Sequence, residues 1–261
     1  MAHNGKMRIN RFLAACGLGS RRAAEALVAA GRVQLNGEPV AALATYVEPR
    51  VDRVTVDGRR VAPPAVPTYY LFHKPEGVVT TARDPEGRPT VLDFVPPEPR
   101  VFPVGRLDQE SSGALLLTND GTLSHLLLHP RYHVEKEYRV VAEGILAPAT
   151  VAALQQGIPL EGERRPTAPA VVRVTGSGHG RTRLTMILRE GKKRQIRRML
   201  ESVGHPVLQL HRVRIGPIDL GTLPAGACRN LTRSEVAALG RCFEEARSRR
   251  SVRAGKDGSH S

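Results

Sequence analysis

An arginine and a carboxylate lie two residues apart in a short, glycine-bounded segment of the chain. Arg106 and Asp108 belong to residues 105–113, directly before an apolar run at 114–118 that predicts a buried strand. A nearby positive charge favours the ionised form of a carboxyl group, so Arg106 can keep Asp108 charged. The spacing alone favours a structural loop with a local ion pair, with a reactive carboxylate as the alternative.

Basic side chains are concentrated around residue 195. Five of seven consecutive residues are cationic: Lys192, Lys193, Arg194, Arg197 and Arg198. Apolar residues with helical spacing predict a helix over residues 194–203 with one face in the core: Ile196, Met199, Leu200 and Val203. This spacing sets Lys193 one turn from Arg197, and Arg194 one turn from Arg198. Positive charge at a helix start opposes the macrodipole, so an anion or a carboxylate partner is expected there.

Tyr138 is a third residue of interest, because the chain has only five tyrosines and no tryptophan. Proteins hold unpaired bases against flat aromatic faces, and Tyr138 offers one on a predicted strand. A single tyrosine in a strand is more often a packing residue, so both interpretations stay open.

Two further patterns do not predict a binding site. His125, His129 and His133 recur every four residues, but Pro130 interrupts the helix that would align them, so no metal site is expected. Residues 176–180 are rich in glycine, yet a strand-like run follows them. They therefore predict a hairpin turn rather than a dinucleotide-binding loop.

The chain as a whole is strongly basic. Its 261 residues include 39 Lys+Arg and 25 Asp+Glu, a formal net charge of +14, and 33 of the cations are arginines. This balance favours a polyanionic partner, because neutralising phosphates releases condensed counterions. Arginine content that reflects only general solubility is the alternative.

Composition limits the class of protein. The content of 41% hydrophobic and 25% charged residues is typical of globular proteins. The sequence has no apolar run of membrane-spanning length and no signal-peptide pattern at its start, and its three cysteines are widely spaced. We expect a cytoplasmic protein without a disulfide framework, zinc site or membrane association.

A small basic module is predicted near the start of the chain. Apolar spacing at residues 9–13 indicates one short helix, and Ser20 is a plausible N-cap for a second over residues 21–30. Residues 33–40 read as a strand, an Asn-Gly turn and a returning segment. Up to residue 36 there is one acid and six bases: Lys6, Arg8, Arg11, Arg21, Arg22 and Arg32. This surface suits a phosphate backbone, although a solvated helical face explains it equally well.

A proline-rich stretch at residues 61–67 predicts a linker, after which strands outnumber helices. Strands are expected at 69–72, 78–80, 114–118, 137–141, 170–174 and 184–188, and helices at 122–128, 148–156 and 194–203. We therefore predict an α+β fold with a mixed, largely antiparallel sheet, after a small α-rich module at 7–67. The larger domain spans 68–240, and residues 241–261 are expected to form a disordered basic tail.

The ordered motifs resemble the bacterial ribosomal-RNA pseudouridine synthases of the RsuA/RluB type over roughly residues 7–240. The motifs are KPEGVV at 74–79, GRLD at 105–108, SG at 112–113, LLTNDG at 116–121, KEY at 136–138 and GKKRQIRRM at 191–199. Residues 8–40 look like the small RNA-binding module named after ribosomal protein S four. Each motif alone is weak, but their shared order makes the resemblance specific.

The resemblance implies an isomerisation without cofactor or metal, in which uracil leaves C1′ of its ribose, turns and rejoins through C5. By analogy Asp108 is the nucleophile, attacking the sugar or the base, and Arg197 is the arginine that pairs with it. Tyr138 would stack on the extruded uracil, and Arg106 would take the place of the flipped base. Flipping a base out of structured RNA costs a few kcal/mol.

The same resemblance implies which residues bind RNA and what the partner is. Besides Arg106, the expected RNA-binding residues are Arg8, Arg11, Arg21, Arg22, Lys192, Lys193, Arg194 and Arg198. The expected partner is ribosomal RNA or a ribosomal precursor particle, with large-subunit 23S rRNA preferred over 16S rRNA from the pattern at 191–199. A monomeric protein is expected.

Three other functions are weighed against this one. A non-catalytic RNA-binding protein of ribosome assembly would lose nothing but stability when Asp108 is replaced. An RNA methyltransferase would need a glycine-rich loop between a strand and a helix, and a tRNA-charging enzyme would need an adenylate-binding motif. The sequence contains neither pattern.

Overall fold

The computed structural model describes residues 5–64, 66–82 and 84–242, which form two compact units. The first contains the described chain up to Thr68, together with Pro96–Val101 and Thr118–Gly121. The second contains the rest of the described chain. The expected basic tail at 241–261 lies outside the described residues except for its first two positions. Within the described ranges, no helix is long and apolar enough to cross a membrane.

The first unit combines two short helices with six short strands. The helices are α1 (Ile9–Ala15) and α2 (Arg21–Ala29). The strands are β1 (Met7–Arg8), β2 (Val33–Leu35), β3 (Glu38–Pro39), β4 (Tyr46–Val47), β5 (Val54–Val56) and β6 (Arg59–Val61). An antiparallel sheet has the order β3-β2-β5-β6, and β1 pairs with β4. The hairpin of β5 and β6 was not anticipated from the sequence.

Local sequence explains both ends of α2 and the first hairpin. The Ser20 hydroxyl accepts a hydrogen bond from the Ala23 amide at 3.2 Å, which confirms the predicted N-cap. Asn36 and Gly37 have φ of 54° and 94°, as a two-residue hairpin turn between β2 and β3 requires. The helices bury apolar side chains against this sheet: Ile9, Phe12, Leu13, Ala24 and Val28.

The remaining strands form one nine-stranded sheet. They are β7 (Tyr69–Lys74), β8 (Phe102–Val104), β9 (Ser112–Thr118), β10 (Lys136–Glu143), β11 (Val171–Gly178), β12 (Arg181–Leu188), β13 (Val207–Ile215), β14 (Ile218–Asp219) and β15 (Cys228–Asn230). The main order is β11-β12-β10-β13-β9-β7-β15, with β14 beside β13 and β8 beside β9. Among the pairings with a described register, β13 with β9 is parallel and the others are antiparallel. The predicted α+β class with a largely antiparallel sheet is confirmed.

Three further α-helices have both ends within the described residues: α3 (Gly121–Leu128), α4 (Pro148–Gln156) and α5 (Gln195–Ser202). Short 3-10 helices lie at Val91–Phe94 and Pro130–Tyr132. Residues 233–242 are also helical, so the first two positions of the expected tail belong to a helix. Helix α4 has the predicted bounds, and its Leu154 is fully buried. Helix α5 buries the predicted apolar face against the sheet, through Ile196, Met199 and Leu200. The predicted hairpin at 176–180 is also confirmed, because β11 and β12 are joined there.

Two predicted elements need correction. Residues 78–80 do not form a strand, and only a single bridge joins Val79 to Thr90. Helix α5 begins one residue later than predicted, because Arg194 is left-handed, with φ of 51°. Lys193 therefore precedes the helix, whereas Arg194 is its N-cap and lies one turn from Arg198, whose amide donates to the Arg194 carbonyl at 3.0 Å. Strand β13, which is central in the sheet, was not predicted from the sequence. Its two arginines and one histidine interrupt the alternation of apolar and polar residues that indicates a strand.

Candidate active site

A loop between β8 and β9 carries Asp108 at the edge of a cavity of about 740 Å³. The side chain of Asp108 is 34% exposed, so it is accessible without being fully hydrated. The cavity is bounded by this loop, by the segment that leads into α5, and by residues of β10 and β13. All of these residues belong to the second unit.

Lys74 holds the Asp108 loop through hydrogen bonds to its backbone. It is fully buried at the end of β7, and its Nζ donates to the carbonyl oxygens of Pro75 at 2.9 Å, Gln109 at 3.3 Å and Ser111 at 2.7 Å. Burial lowers the pKa of Lys74 to about 8, although the charges of Glu76, Asp108 and Glu110 oppose that shift. The ammonium group therefore replaces its lost hydration with loop carbonyls.

Thr80 and Gly77 fix the loop on both sides of Asp108. The Thr80 hydroxyl is buried; it donates to the Leu107 carbonyl at 2.7 Å and accepts from the Leu107 amide at 3.2 Å. The Gly77 amide donates to the Gln109 carbonyl at 2.9 Å. Because both neighbours of Asp108 are held by hydrogen bonds, the backbone that carries the carboxylate is preorganised.

Arg194, just before α5, and Arg197, within it, both approach the loop, but they contact different atoms. Arg194 Nη1 lies 3.9 Å from Asp108 Oδ2 and 2.9 Å from Glu110 Oε2. Arg197 Nη2 donates to the Glu110 carbonyl at 2.9 Å and to Ser111 Oγ at 3.2 Å. The expected direct pairing of Arg197 with Asp108 is therefore not formed between these described residues. Arg197 reaches the loop backbone just after Asp108, and Arg194 supplies the ion pair.

The carboxylate partners expected for the basic cluster are present. Glu163 lies 3.2 Å from Lys192 and 3.3 Å from Arg198, and Glu110 bonds to Arg194. Arg198 also donates to the Glu161 carbonyl. Lys193 is exposed at the cavity wall. Most of the cluster is thus engaged by carboxylates, with one cation left facing solvent.

Tyr138 and Arg106 both line the cavity. Tyr138 is half-buried in β10, where it faces Arg212 of β13 and Met186 of β12 across the sheet. Arg106 is exposed two residues before Asp108. The sequence therefore identified an acid, an aromatic ring and a cation that the fold brings to one cavity.

Sequence reasoning missed Arg212, which is only 3% exposed and lines the cavity. Its Nε donates to the Ala114 carbonyl at 2.7 Å, whereas its buried Nη2 has no hydrogen-bond partner among the described residues. Gly113 makes this approach possible: its φ is 110°, and a Cβ there would lie 2.2 Å from the Arg212 carbonyl oxygen. The glycine after Ser112 was the available signal, but its partner strand was not predicted.

The candidate RNA-binding arginines of the first unit lie on or beside its helices. Arg8, Arg11, Arg21 and Arg22 are all exposed, and the Arg8 guanidinium lies 6.0 Å from the centre of the Tyr46 ring. Arg32 differs, because it bonds to Asp57 through both Nε and Nη2, at 2.9 and 2.5 Å. The first unit therefore contains four exposed candidate arginines and one arginine, Arg32, whose charge is neutralised by Asp57.

Comparison with known proteins extends over most of the chain. Residues 68–202 match the family described as RNA pseudouridylate synthase, and residues 7–49 match the S4 domain. An uncharacterised RNA pseudouridine synthase of Aquifex aeolicus is 43% identical over 237 residues, covering 90% of this chain and 94% of its own. The ribosomal large subunit pseudouridine synthase B of Bacillus subtilis is 38% identical over 235 residues, covering 89% and 95%.

A solved structure agrees with these sequence matches. A crystal structure of a pseudouridylate synthase aligns with a TM-score of 0.66 at 30% identity, over 89% of this chain and 99% of that one. The family match covers more than half of the chain, and the relatives align over nearly their whole lengths. The chain therefore belongs to the RNA pseudouridylate synthase family and is an isomerase that acts on RNA.

Proposed function

We propose that this protein converts one specific uridine of ribosomal RNA to pseudouridine, with Asp108 as the nucleophile. The observation that carries the proposal is the Asp108 loop itself, which is held at Leu107 and Gln109 and opens onto a cavity that Tyr138 lines. The Bacillus subtilis relative, named for the large ribosomal subunit, supports 23S rRNA as the substrate.

The site residues divide the chemistry between them. Nucleophilic attack by the Asp108 carboxylate, on C1′ or on the base, divides one difficult exchange into easier steps. Tyr138 stacks on the uracil, and Arg106 fills the gap that the flipped base leaves in the RNA. Arg197 acts as a positioning residue, because it bonds to the loop backbone at Glu110 and Ser111. No cofactor or metal takes part in this scheme.

Phosphate contacts offset the cost of extruding the base. We assign the module at 7–67 to RNA binding, through Arg8, Arg11, Arg21 and Arg22, and the domain at 68–240 to catalysis. Lys192, Lys193, Arg194 and Arg198 add contacts near the cavity, and the basic residues in the sequence at 241–261 add positive charge. The protein acts in the cytoplasm as a monomer, on free ribosomal RNA or on a precursor particle.

A pseudouridine map of ribosomal RNA tests this proposal. Carbodiimide labelling and primer extension are applied to cells lacking the protein, and to the same cells complemented with wild type, Asp108→Asn or Asp219→Asn. Asp219 is a matched carboxylate outside the cavity, bonded to the Gly221 amide at 3.0 Å. We expect one 23S stop that is lost on deletion and restored by wild type and Asp219→Asn, but not by Asp108→Asn.

Other results would change specific parts of the proposal. Restoration by Asp108→Asn would remove the nucleophile while leaving the substrate in place. A lost stop in 16S rRNA would replace the large-subunit assignment. A map that deletion does not alter would show that the substrate is not ribosomal RNA.

A further inference from the structure

The cavity beside Asp108 has an unbalanced charge. Seven of the side chains that line it are cationic: Arg106, Lys136, Arg189, Lys192, Lys193, Arg194 and Arg212. Two are carboxylates, Asp108 and Glu190, and both already have partners. Asp108 pairs with Arg194, and Glu190 accepts from Gln195 at 2.6 Å and from the Ala168 amide at 2.9 Å. Three of the seven cations also have carboxylate partners, because Arg189 pairs with Glu135, Lys192 with Glu163 and Arg194 with Glu110. The other four form no ion pair with a described carboxylate, so an anionic ligand can supply their counter-charge: Arg106, Lys136, Lys193 and Arg212.

These cations differ in their exposure to solvent. Arg106, Lys193 and Arg194 are exposed at the cavity wall, whereas Arg212 is 3% exposed. Lys136 lies between these extremes in β10, and its Nζ donates only to the Val134 carbonyl, at 3.2 Å. Neither Lys136 nor Arg212 forms an ion pair with any described carboxylate. A buried cation without a counter-charge is costly unless a ligand supplies one.

Arg212 and Lys136 lie on the same face of the sheet as Tyr138. Tyr138 is directly opposite Arg212, and Lys136 is two residues from Tyr138 along β10. A register shift between Glu137 and Tyr138 turns the next arginine of β13, Arg214, to the other face. There Arg214 bonds to Glu137 at 2.9 Å and Glu135 at 3.4 Å. Of these two arginines in one strand, Arg214 is thus paired with two carboxylates and Arg212 with none that is described.

The reaction places negative charge on the base. When the bond between C1′ and N1 breaks, its electron pair stays on uracil, and the charge spreads over the ring nitrogens, O2 and O4. The ring uses an electron pair to form the C1′–C5 bond, which releases the Asp108 carboxylate, and one proton then passes from C5 to N1 through solvent. If Asp108 instead adds to the base, the ring also carries the charge.

We propose that Arg212 and Lys136 bind the extruded uracil beside Tyr138 and stabilise the negative charge that it carries while it is detached. This inference rests on the proposed function and adds two charge-stabilising groups to it. Arg212 and the half-buried Lys136 face the base, and the exposed cations face the phosphates. A phosphodiester keeps most of its hydration at the surface, whereas a flipped base is enclosed, so burial favours the base as the ligand of Arg212.

Burial also sets the expected size of the effect. Removing one preorganised donor from developing negative charge in a water-poor site lowers kcat by about 10²–10³-fold. Arg212→Gln keeps a polar side chain but loses the charge, and Arg212→Lys keeps the charge without the planar fork. Arg214→Gln is the matched control, since it makes the same change in the same strand on the other face.

The test uses ribosomal RNA, free or in precursor particles, isolated from cells that lack this protein. Single-turnover rates are measured for wild type and for Arg212→Gln, Arg212→Lys, Lys136→Gln and Arg214→Gln, and each melting temperature is recorded. Dissociation constants are measured at several salt concentrations in an Asp108→Asn background. We expect Arg212→Gln to lose at least about 100-fold in rate, Lys136→Gln at least about 10-fold, and Arg212→Lys and Arg214→Gln less than either. The dissociation constant of each variant for RNA should stay within about twofold of the wild-type value at every salt concentration.

Each contrary result identifies what failed. A rate loss in Arg212→Gln that is matched by Arg214→Gln, or by a fall in melting temperature, would make Arg212 structural and overturn the inference. Weaker RNA binding, with a salt slope reduced by about 1 and an unchanged rate, would assign Arg212 to a phosphate and overturn it as well. Wild-type protein that forms no pseudouridine in this RNA would overturn the proposed function, and the inference with it.

Discussion

The arginines of the first unit and those around the Asp108 cavity are chemically identical but differently constrained. Arg8, Arg11, Arg21 and Arg22 are exposed on or beside short helices. Beside the cavity, Arg197 bonds to the carbonyl oxygens of Glu110 and Val207, and in its wall Arg212 is buried against β9. One set is arranged as a surface, and the other is built into the backbone that holds the nucleophile.

The difference teaches that charge has two separable uses in this protein. Exposed cations contribute affinity through counterion release, which is nearly independent of RNA sequence and falls with salt. Buried and bonded cations fix geometry, and their effect appears in the rate because a small displacement of reacting groups is costly. Substitutions in the two regions should therefore alter different measured quantities.

Among residues that do not line the cavity, Lys74→Met gives the largest expected effect. The change leaves the buried Ser111 carbonyl, and those of Pro75 and Gln109, without the Lys74 Nζ donor. A shift of the Asp108 loop by about 1 Å should lower kcat by roughly 10²-fold, while the dissociation constant for RNA changes little. Single-turnover rates and filter binding on one RNA substrate check both quantities. A variant that loses RNA affinity but keeps its rate would break the proposed separation of roles.

The pH dependence of kcat/KM sharpens the comparison, because burial lowers the pKa of two lysines of the second unit toward neutrality. Burial lowers the pKa of Lys74 to about 8, and burial and the charge of Arg212 lower that of Lys136 to about 8. Above pH 8 both lose their charge, so kcat/KM should fall, by up to about tenfold per pH unit for each essential proton.

The titration of these two lysines does not itself favour unfolding. Between pH 8 and the unfolded lysine value of 10.5, the unfolded chain holds more protons than the folded one, so these two groups make the folded state more stable as pH rises. Denaturant titrations at pH 7.5 and 9.5 check the sign. A parallel loss of stability and activity would remove the lysines from the explanation.

Local patterns predicted most of the fold. Helix α4, the N-cap of α2 and the Asn-Gly hairpin followed from spacing and turn chemistry, because nearby residues determine them. Strand β13 did not, since its place between β10 and β9 depends on partners distant in sequence. Residues 78–80 have strand-like composition, but tertiary contacts hold them as a single bridge.

The candidate site shows the same division. Asp108, Tyr138 and Arg106 were found as motif residues, and the fold gathers them at one cavity. Asp108 pairs with Arg194 rather than with the expected Arg197. Arg194 has a left-handed backbone directly before α5, and the spacing of apolar residues does not predict that conformation. Arg212 was missed because its burial arises from Gly113 on another strand. Residue types identify the chemistry, and long-range packing decides which partner performs it.

The smallest expected effect comes from the first unit. Arg21→Gln with Arg22→Gln removes two exposed charges at the start of α2. Removing one ion pair with a phosphate should reduce the salt slope of binding by about 1, so the double change should lower it by about 2 and weaken RNA affinity several-fold at low salt. The single-turnover rate at saturating enzyme should be unchanged, because neither side chain lines the cavity.

Arg32→Gln is the matched control for this double variant. It removes one guanidinium from the same unit, but that charge is already compensated by Asp57 at 2.5 Å. The salt slope should therefore change less than for either Arg21 or Arg22 alone. An equal change in all three would mean that net charge, rather than the α2 surface, attracts the RNA. A reduced saturating rate in the double variant would mean instead that the first unit takes part in presenting the uridine, which would join the two uses of charge into one.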